Sequence, residues 1–395
     1  MIVTRFLAML LASAVLIFAL LRPGALDALS AFTALPPAAI DAALCVLLFA
    51  AAMQLRARGP LRALAVVMQF SLFGTVLAIL LLGAVAQWVF GRFGVEVSYV
   101  YCLLFAALIA PADPLAMQRS LSLAGATPGL GRHAVAESLL SSLFGLIFFS
   151  VTVVRIGGTK AGLFPLLMQQ AGGGVLLGLC LGLLLLYALR KVSSLFAMIV
   201  CLAAAVIAAW ALGQMMGIGA PLAAGIAGLV LAFQDDEIFG DAARRERLSD
   251  ICLPWAEIAT ALLLLALAFK LVVTQPPMSY FGIAIFVLPI VVVVRTALVG
   301  SAVWLFGRRW SVPRALPATM AWGGLRGGMA AALALMLPGD DEATLLIQTI
   351  VFAMLAFSIL MQSVGHGLML VTKRPLSEVV EEQPEVVVDE SSTHR

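Results

Sequence analysis

The sequence predicts an all-α polytopic membrane protein with about twelve transmembrane helices. Of its 395 residues, 63% are apolar and only 11% are charged, and the mean hydropathy is +1.10. Soluble domains are about 45–50% apolar and about 25% charged, so a soluble fold of this size would leave much apolar surface in water. The apolar residues form long continuous runs, such as 261–269 and 287–294, rather than the ~10-residue alternating segments of a membrane barrel. Disordered and nucleic-acid-binding classes are excluded by the same composition.

Twelve apolar segments follow one another with short connections, and most approach the roughly 20 residues that a helix needs to cross the hydrocarbon. They are 4–21, 36–55, 63–90, 98–118, 134–154, 171–189, 194–212, 217–233, 251–273, 279–304, 315–337 and 344–371. The first is interpreted as a retained helix rather than a signal peptide, because no small-residue cleavage site follows it. Residues 1–372 form one predicted transmembrane domain, and residues 373–395 are predicted to be a disordered acidic cytoplasmic tail.

The basic residues predict the orientation of the chain in the membrane. With twelve spans, seventeen Lys and Arg residues fall on the side that holds both termini, and four fall on the other side. Because basic residues accumulate in cytoplasmic loops, both termini are predicted to be cytoplasmic. Short loops and the lack of a targeting segment suggest the bacterial inner membrane.

Six ionisable side chains fall inside the predicted spans, where a charge at the bilayer centre costs at least about 2.5–3.5 kcal/mol. They are Asp113, Glu137, Glu257, Lys270, Arg295 and Arg326. Glu257 lies near the predicted start of its helix and Lys270 near the end, so we expect both side chains to reach an interface. The other four lie deeper and are the candidates for a functional or site-organising role.

Asp113 stands between Pro111 and Pro114, and each proline removes a backbone donor and disfavours a continuous helix. Broken backbone at membrane depth is tolerated only inside protein or beside a water-filled cavity, where half-helix ends can meet an ion. The segment therefore predicts an ion site, with a simple proline kink near an interface as the alternative.

Glu137 opens a second polar element that continues with Ser138, Ser141 and Ser142. Helical spacing places Glu137 and Ser141 on one face, with Ser138 and Ser142 on an adjacent stripe. The element offers one carboxylate and three hydroxyls to a site. Alternatively, the serines pack helices closely and bond to their own backbone.

Arg326 is surrounded by four glycines that permit close helix approach or local unwinding. They are Gly323, Gly324, Gly327 and Gly328. This is the second interrupted segment, late in the chain as the Asp113 segment is early. Paired interruptions in two halves are the usual sign of an inverted-repeat transporter, although no direct sequence repeat is evident.

These elements, taken in order over roughly 35–371, resemble the sodium/proton exchanger branch of the monovalent cation/proton antiporters. The stretches that carry the resemblance are LLFAALIAPADPLAMQRSL, AESLLSSLFGLIFF, GIGAPLAAGIAGLVLA and WGGLRGGMAAALAL. The resemblance implies an inverted-repeat fold with two broken helices crossing at the ion site, and a homodimer. It also implies that Glu137 pairs with Arg295 and that Asp113 and Arg326 lie at the crossing.

The sequence departs from that family at the ion site. In the family, the motif that begins with Glu-Ser-Leu-Leu continues with Asn-Asp, and that aspartate binds the cation. This chain has Ser141 and Ser142 at those two positions. It also has Ala112 where the family usually has a threonine. Two deep acids then face two deep bases, and serine hydroxyls do not titrate near neutral pH. We therefore expect ordinary Na⁺/H⁺ exchange to be weak or absent unless Asp113 or Glu137 has taken over the role.

Two functions follow from these observations. The first is a secondary transporter that exchanges Na⁺ or K⁺ for protons by alternating access in pH homeostasis, with an atypical ion site. The alternative is a transport-incompetent relative that acts as a membrane sensor or partner-binding component. No metal-ligand, nucleophile or nucleotide-binding spacing occurs, so the sequence predicts no enzyme, no cofactor and no metal beyond the transported cation. The expected partners are the lipid bilayer, a monovalent cation, protons and a second copy, with no nucleic acid.

Overall fold

The structure, a computed structural model, describes the ranges 35–55, 61–123, 128–192, 194–234, 242–310, 327–339 and 341–372. All regular structure in these ranges is helical. They contain nine helices that are long and apolar enough to cross a membrane, together with the shorter Ala220–Ala232. The prediction of an all-α polytopic membrane protein is therefore confirmed for the described chain. The first predicted segment and the acidic tail lie outside these ranges and stay predictions.

The helices follow the predicted order from the second segment onward. Numbered along the chain, they are α1 (Pro37–Gln54), α2 (Leu61–Arg92), α3 (Tyr99–Ile109), α4 (Pro114–Leu123), α5 (Pro128–Ile156), α6 (Leu163–Leu167), α7 (Gly173–Lys191), α8 (Leu195–Met216), α9 (Ala220–Ala232), α10 (Ala242–Thr274), α11 (Met278–Trp310), α12 (Gly328–Leu335) and α13 (Glu342–Thr372). A π-helical turn, Met168–Gly172, joins α6 to α7. One span therefore runs from Leu163 to Lys191, beginning eight residues before the predicted segment.

One membrane span is broken in its middle. Helices α3 and α4 together form the span Tyr99–Gln118, and residues 110–113 between them are not helical. Pro114 is the first residue of α4, where a missing N–H costs no hydrogen bond. The break predicted from the two prolines is confirmed.

A short helix lies at the centre of the bundle. Helix α12 begins at Gly328, directly after the extended residue Gly327, and packs against α1, α3, α10 and α13. Seven of its eight residues, from Gly328 through Ala334, are buried. The outer helices turn apolar side chains outward, such as Phe73 on α2 and Ile285 on α11, as expected of surfaces that face lipid.

The position of Glu257 corrects the sequence prediction. Helix α10 begins at Ala242, nine residues earlier than predicted, so Glu257 lies in its middle. The side chain is only 4% exposed, and roughly 15 Å of helix separates it from the charged residue Arg247. Glu257 therefore lies inside the protein in the middle of its helix, and not near the helix start. Lys270 lies one turn before the end of α10 and is partly exposed, which leaves the prediction for that residue open.

Helices α7 and α9 pack closely through glycines spaced four residues apart on α7, namely Gly174, Gly178 and Gly182. A Cβ atom added at Gly178 would lie 2.6 Å from the Ala223 carbonyl oxygen and 2.7 Å from Ile226 Cβ. Such contacts are shorter than van der Waals distance, so a side chain there must push the two helices apart.

We expect Gly178→Leu to lower the melting temperature of the protein in detergent, because overpacking costs about 1–3 kcal/mol. The matched control is Cys180→Leu, two residues along the same helix on its exposed face. Scanning fluorimetry of both variants makes the comparison. Equal melting temperatures for the two variants would contradict the close contact between α7 and α9.

Candidate functional site

Asp113 caps the second half of the broken span. Its Oδ1 accepts hydrogen bonds from the backbone N–H groups of Leu115, at 2.9 Å, and Ala116, at 3.2 Å. These are two of the donors that the first turn of a helix leaves unpaired, and an aspartate is among the best residues to bond them. The carboxylate also lies at the positive end of the α4 dipole. Asp113 is 7% exposed, so the carboxyl group is held inside the protein.

The two interrupted segments meet at this carboxylate. A Cβ atom on Gly327 would overlap Asp113 Oδ2 and would lie 2.5 Å from Asp113 Cγ. Gly327 immediately precedes α12, and no side chain caps that helix. Asp113 thus lies against the N-terminal ends of both α4 and α12. The absence of a side chain at Gly327 is what allows this approach.

The unwound carbonyl before Asp113 is bonded by two serines. The hydroxyls of Ser138 and Ser142, one helical turn apart on α5, each donate to the Ala112 carbonyl oxygen at 2.9 Å. Both serines are fully buried. A carbonyl oxygen has two lone pairs, so the two hydroxyls satisfy it completely. Each hydroxyl oxygen keeps its own lone pairs for a further ligand.

The remaining members of the serine element lie nearby but make different contacts. Ser141 donates to the Ser138 carbonyl oxygen at 3.0 Å, so its hydroxyl bonds within its own helix, as the alternative interpretation of the serines allowed. Glu137 is buried in α5, and its backbone carbonyl accepts a 3.5 Å hydrogen bond from Ser71 on α2. The structure therefore brings Ser138 and Ser142, rather than Ser141, to the broken span.

The two site arginines are not both within the described chain. Arg295 lies on α11, which packs against α2, but its side chain is outside the described residues. Arg326, Gly323 and Gly324 also lie outside them. The pairing of Glu137 with Arg295 and the placement of Arg326 beside Asp113 both stay predictions.

Three residues that support the site had no clear signal in the sequence. Gly145 on α5 makes room for Pro111, whose Cγ would lie 2.5 Å from a Cβ at that position. Thr260 on α10 packs against Gly328, because its Oγ1 lies 2.6 Å from the position that a Cβ atom on Gly328 would occupy. Gln348 Nε2 on α13 donates to the Ala334 carbonyl oxygen at 2.9 Å, near the end of α12. Only the polar Gln348 within an apolar run could have suggested a role.

The arrangement offers oxygen atoms and one carboxylate group at a buried helix break. Asp113 supplies the carboxylate, and Ser138 and Ser142 supply hydroxyl oxygens beside the adjacent carbonyl of Ala112. Hard cations prefer such oxygen ligands over nitrogen or sulfur. In the described chain, no group of three or more His, Cys, Asp and Glu side chains could hold a metal ion. The chemistry available here is reversible binding of a small cation or a proton.

Known proteins are similar to this chain over most of its length. A family model described as sodium/hydrogen exchanger, transmembrane, matches residues 4–372. The Na⁺/H⁺ antiporter NhaP of Pseudomonas aeruginosa is 31% identical over 310 residues, which cover 74% of this chain and 71% of that protein. The Na⁺/H⁺ antiporter NhaG of Bacillus atrophaeus is 23% identical over 302 residues, covering 73% and 55% of the two chains.

The fold is also shared with a solved transporter. The sodium proton antiporter MjNhaP1 from Methanocaldococcus jannaschii, determined at pH 8, superposes with a TM-score of 0.66 at 18% identity. The match covers 91% of this chain and 97% of that one. It confirms the antiporter fold predicted from the paired interruptions. Together with the family model and the relative above 30% identity, it shows that this chain belongs to the sodium/hydrogen exchanger family of the monovalent cation/proton antiporters, which are integral membrane transporters.

Proposed function

We propose that this chain exchanges a monovalent cation for protons by alternating access, and that the two ions bind in turn at Asp113. The observation that carries the proposal is the contact of this carboxylate with the ends of both interrupted segments, α4 and Gly327 before α12. Because the carboxylate lies against the ends of two half-helices, a small movement of either helix changes the environment of its charge. The names of the relatives, all Na⁺/H⁺ antiporters, support the same function.

The other candidate residues take supporting roles in this proposal. The hydroxyls of Ser138 and Ser142 are cation ligands, and Ser141 is a further hydroxyl close to them. Glu137 and Arg295 brace the site as an ion pair, and Arg326 compensates the charge of Asp113. The breaks at Pro111 and Pro114, and at the four glycines around Arg326, keep the backbone at the site unwound.

The serine pair favours weak exchange. In the structure, the lone pairs of the Ala112 carbonyl accept the protons of Ser138 and Ser142, so this carbonyl is not available to a cation. The serine hydroxyls add ligand oxygens but no charge. The same observation favours the alternative function, a transport-incompetent relative that acts as a sensor or binds a partner, because two hydrogen bonds fix the broken span to α5. Flux measurements on the purified protein decide between the two.

We further propose that both termini are cytoplasmic in a bacterial inner membrane and that the protein is a homodimer. The excess of basic residues on one side of the predicted topology supports the orientation, and the family resemblance supports the dimer. Residues 1–372 then form the transporter domain, and residues 373–395 form a cytoplasmic tail. In this orientation, α1 ends on the cytoplasmic side at Gln54.

We expect Asp113→Asn to reduce Na⁺-dependent proton flux in proteoliposomes to the background of empty vesicles. The amide oxygen can still bond the N–H groups of Leu115 and Ala116, so the fold and the melting temperature are retained while the charge is lost. Asp250→Asn on the exposed face of α10 is the matched control and retains flux. Wild-type flux from the Asp113→Asn variant would exclude Asp113 as the exchanging group, and no flux from the wild type would favour the alternative function.

We expect Ser142→Asp to lower the apparent KM for Na⁺ by about tenfold, which corresponds to about 1.4 kcal/mol of binding. The substitution replaces a donor to the Ala112 carbonyl with a carboxylate, and two oxygens at that distance require a cation or proton between them. Ser142→Asn has the same size without the charge and is the control. Strong Na⁺- or K⁺-dependent flux in the wild type that Ser142→Ala alone abolishes would contradict the predicted weak exchange.

We expect Gly327→Ala to abolish flux, because the added methyl group would occupy the position of Asp113 Oδ2. Gly282→Ala on α11 is the matched control, since a Cβ there meets no atom within 4 Å. The control retains flux and gains about 0.5–1 kcal/mol of helix stability. Flux of the Gly327→Ala variant equal to that of the control would show that Asp113 does not need to lie against Gly327.

A further inference from the structure

Glu257 is a buried carboxylate to which the proposed mechanism so far assigns no role. It lies on the buried face of α10, with Ala256, Ala259 and Thr260, while Trp255 and Ile258 point outward. A charged group at such a depth costs at least about 2.5–3.5 kcal/mol on insertion scales. Retaining a carboxylate inside the protein, where an alanine would pack without that cost, calls for a function.

The packing of α10 places Glu257 close to the broken helices. Thr260, one turn further along the same face, lies against Gly328 with its Oγ1 2.6 Å from the place of a Cβ. The preceding residue, Gly327, lies against Asp113. The start of α12 is therefore held between Asp113 on one side and Thr260 on the other. Glu257 lies about 4.5 Å along the α10 axis from the level of Thr260.

A group of polar side chains lies at the end of the bundle where α10 begins. Glu257 is nearer to this end than Thr260 is. Gln118 Nε2 on α4 donates to Gln54 Oε1 on α1 at 2.9 Å, and Gln54 Nε2 donates to the Ser249 carbonyl oxygen on α10 at 3.0 Å. Both glutamines are partly exposed. We call this group the glutamine layer. Gln118 is about 7.5 Å along α4 from Asp113, so the layer lies on the same side of the site as Glu257.

Glu257 lies between the site and that layer. Along α10, Ser249 is eight residues before Glu257 and Thr260 is three residues after it. An ion that leaves Asp113 towards the glutamine layer therefore passes the level of Glu257. Among the described helices that pack against α10, no other acid stands at this level, because the acid of α1 is Asp41 near its opposite end and that of α13 is its first residue, Glu342. Glu137 lies on α5, which packs against the broken span instead.

The charge of Asp113 alone is poorly suited to attract a cation. Two backbone N–H groups bond it directly, and the end of α12 faces it, so fixed protein dipoles already stabilise the negative charge. The serines around the site contribute no charge. A second carboxylate within reach would supply the attraction for a cation and an additional group for protons.

We propose that Glu257 is a second ion-binding carboxylate of this transporter, lying between Asp113 and the glutamine layer. It binds the cation or a proton as either moves between the buried site and that end of the bundle. This inference rests on the proposed exchange function. It adds a third carboxylate to Asp113 and Glu137 and so supplies the negative charge that the two serines cannot.

The first test compares Glu257→Gln, Glu257→Asp and the exposed control Asp250→Asn in proteoliposomes. We expect Glu257→Gln to raise the apparent KM for Na⁺ by about tenfold or more, Glu257→Asp to retain most of the activity, and the control to match the wild type. Ser142→Asp lowers the KM by a larger factor in the Glu257→Gln background than in the wild type, because there it replaces a missing carboxylate. A structural role for Glu257 predicts the same factor in both backgrounds, and that result would overturn the inference.

The second test needs no substitution at Glu257 and does not depend on flux. Dicyclohexylcarbodiimide modifies protonated carboxyl groups in apolar surroundings, and mass spectrometry measures the modified Glu257 peptide of the purified wild type. We expect Na⁺ to slow the modification, whereas choline at equal ionic strength does not. Equal rates in the two salts would overturn the inference. Protection by Na⁺ in a protein without any flux would instead refute the proposed exchange while keeping Glu257 as an ion-binding group.

Discussion

The site follows from one constraint, the need of every backbone polar group in a membrane to find a partner within the protein. Residues 110–113 interrupt a span and release donors and acceptors that a helix would otherwise pair. Asp113 accepts from the N–H groups that begin α4, and Ser138 and Ser142 donate to the Ala112 carbonyl. The side chains that complete the backbone are the same ones that form the site. A change in any of them therefore alters both ion binding and the stability of the break.

The serine pair is one of two ways to complete such a break. A hydroxyl donates a proton to the free carbonyl and leaves it neutral and satisfied. A carboxylate in the same place cannot donate when ionised, so the carbonyl and the carboxylate together need a cation or a proton between them. This difference explains why a chain can keep the antiporter fold while its ion site changes. Helix positions depend on backbone pairing and on close contacts such as Gly327 with Asp113, and both persist with serines.

The sequence predicts the helices and the breaks well because their signals are local. Pro111 and Pro114 each remove a backbone donor from the middle of one span and so disfavour a continuous helix there. The contact of Gly327 with Asp113 joins residues more than 200 positions apart, and only the resemblance to a family indicated it. The prediction failed at α10, whose first nine residues are rich in charge and hid the true start at Ala242. Glu257 was therefore placed near an interface, when periodicity alone would have put it on the buried face with Thr260.

That error also changes the charge balance expected of the protein. Counting Asp113 and Glu137 against Arg295 and Arg326 gives a neutral core, and a neutral core has little reason to take up a cation. Glu257, buried at mid-helix, adds a third acid to this count, and Lys270 lies on the same helix one turn before its end. The fold does not require the acids of the site to be on α5, because α1, α3, α10 and α13 all surround α12. A carboxylate on α10 lies close enough to the same half-helix to serve the ion from another side.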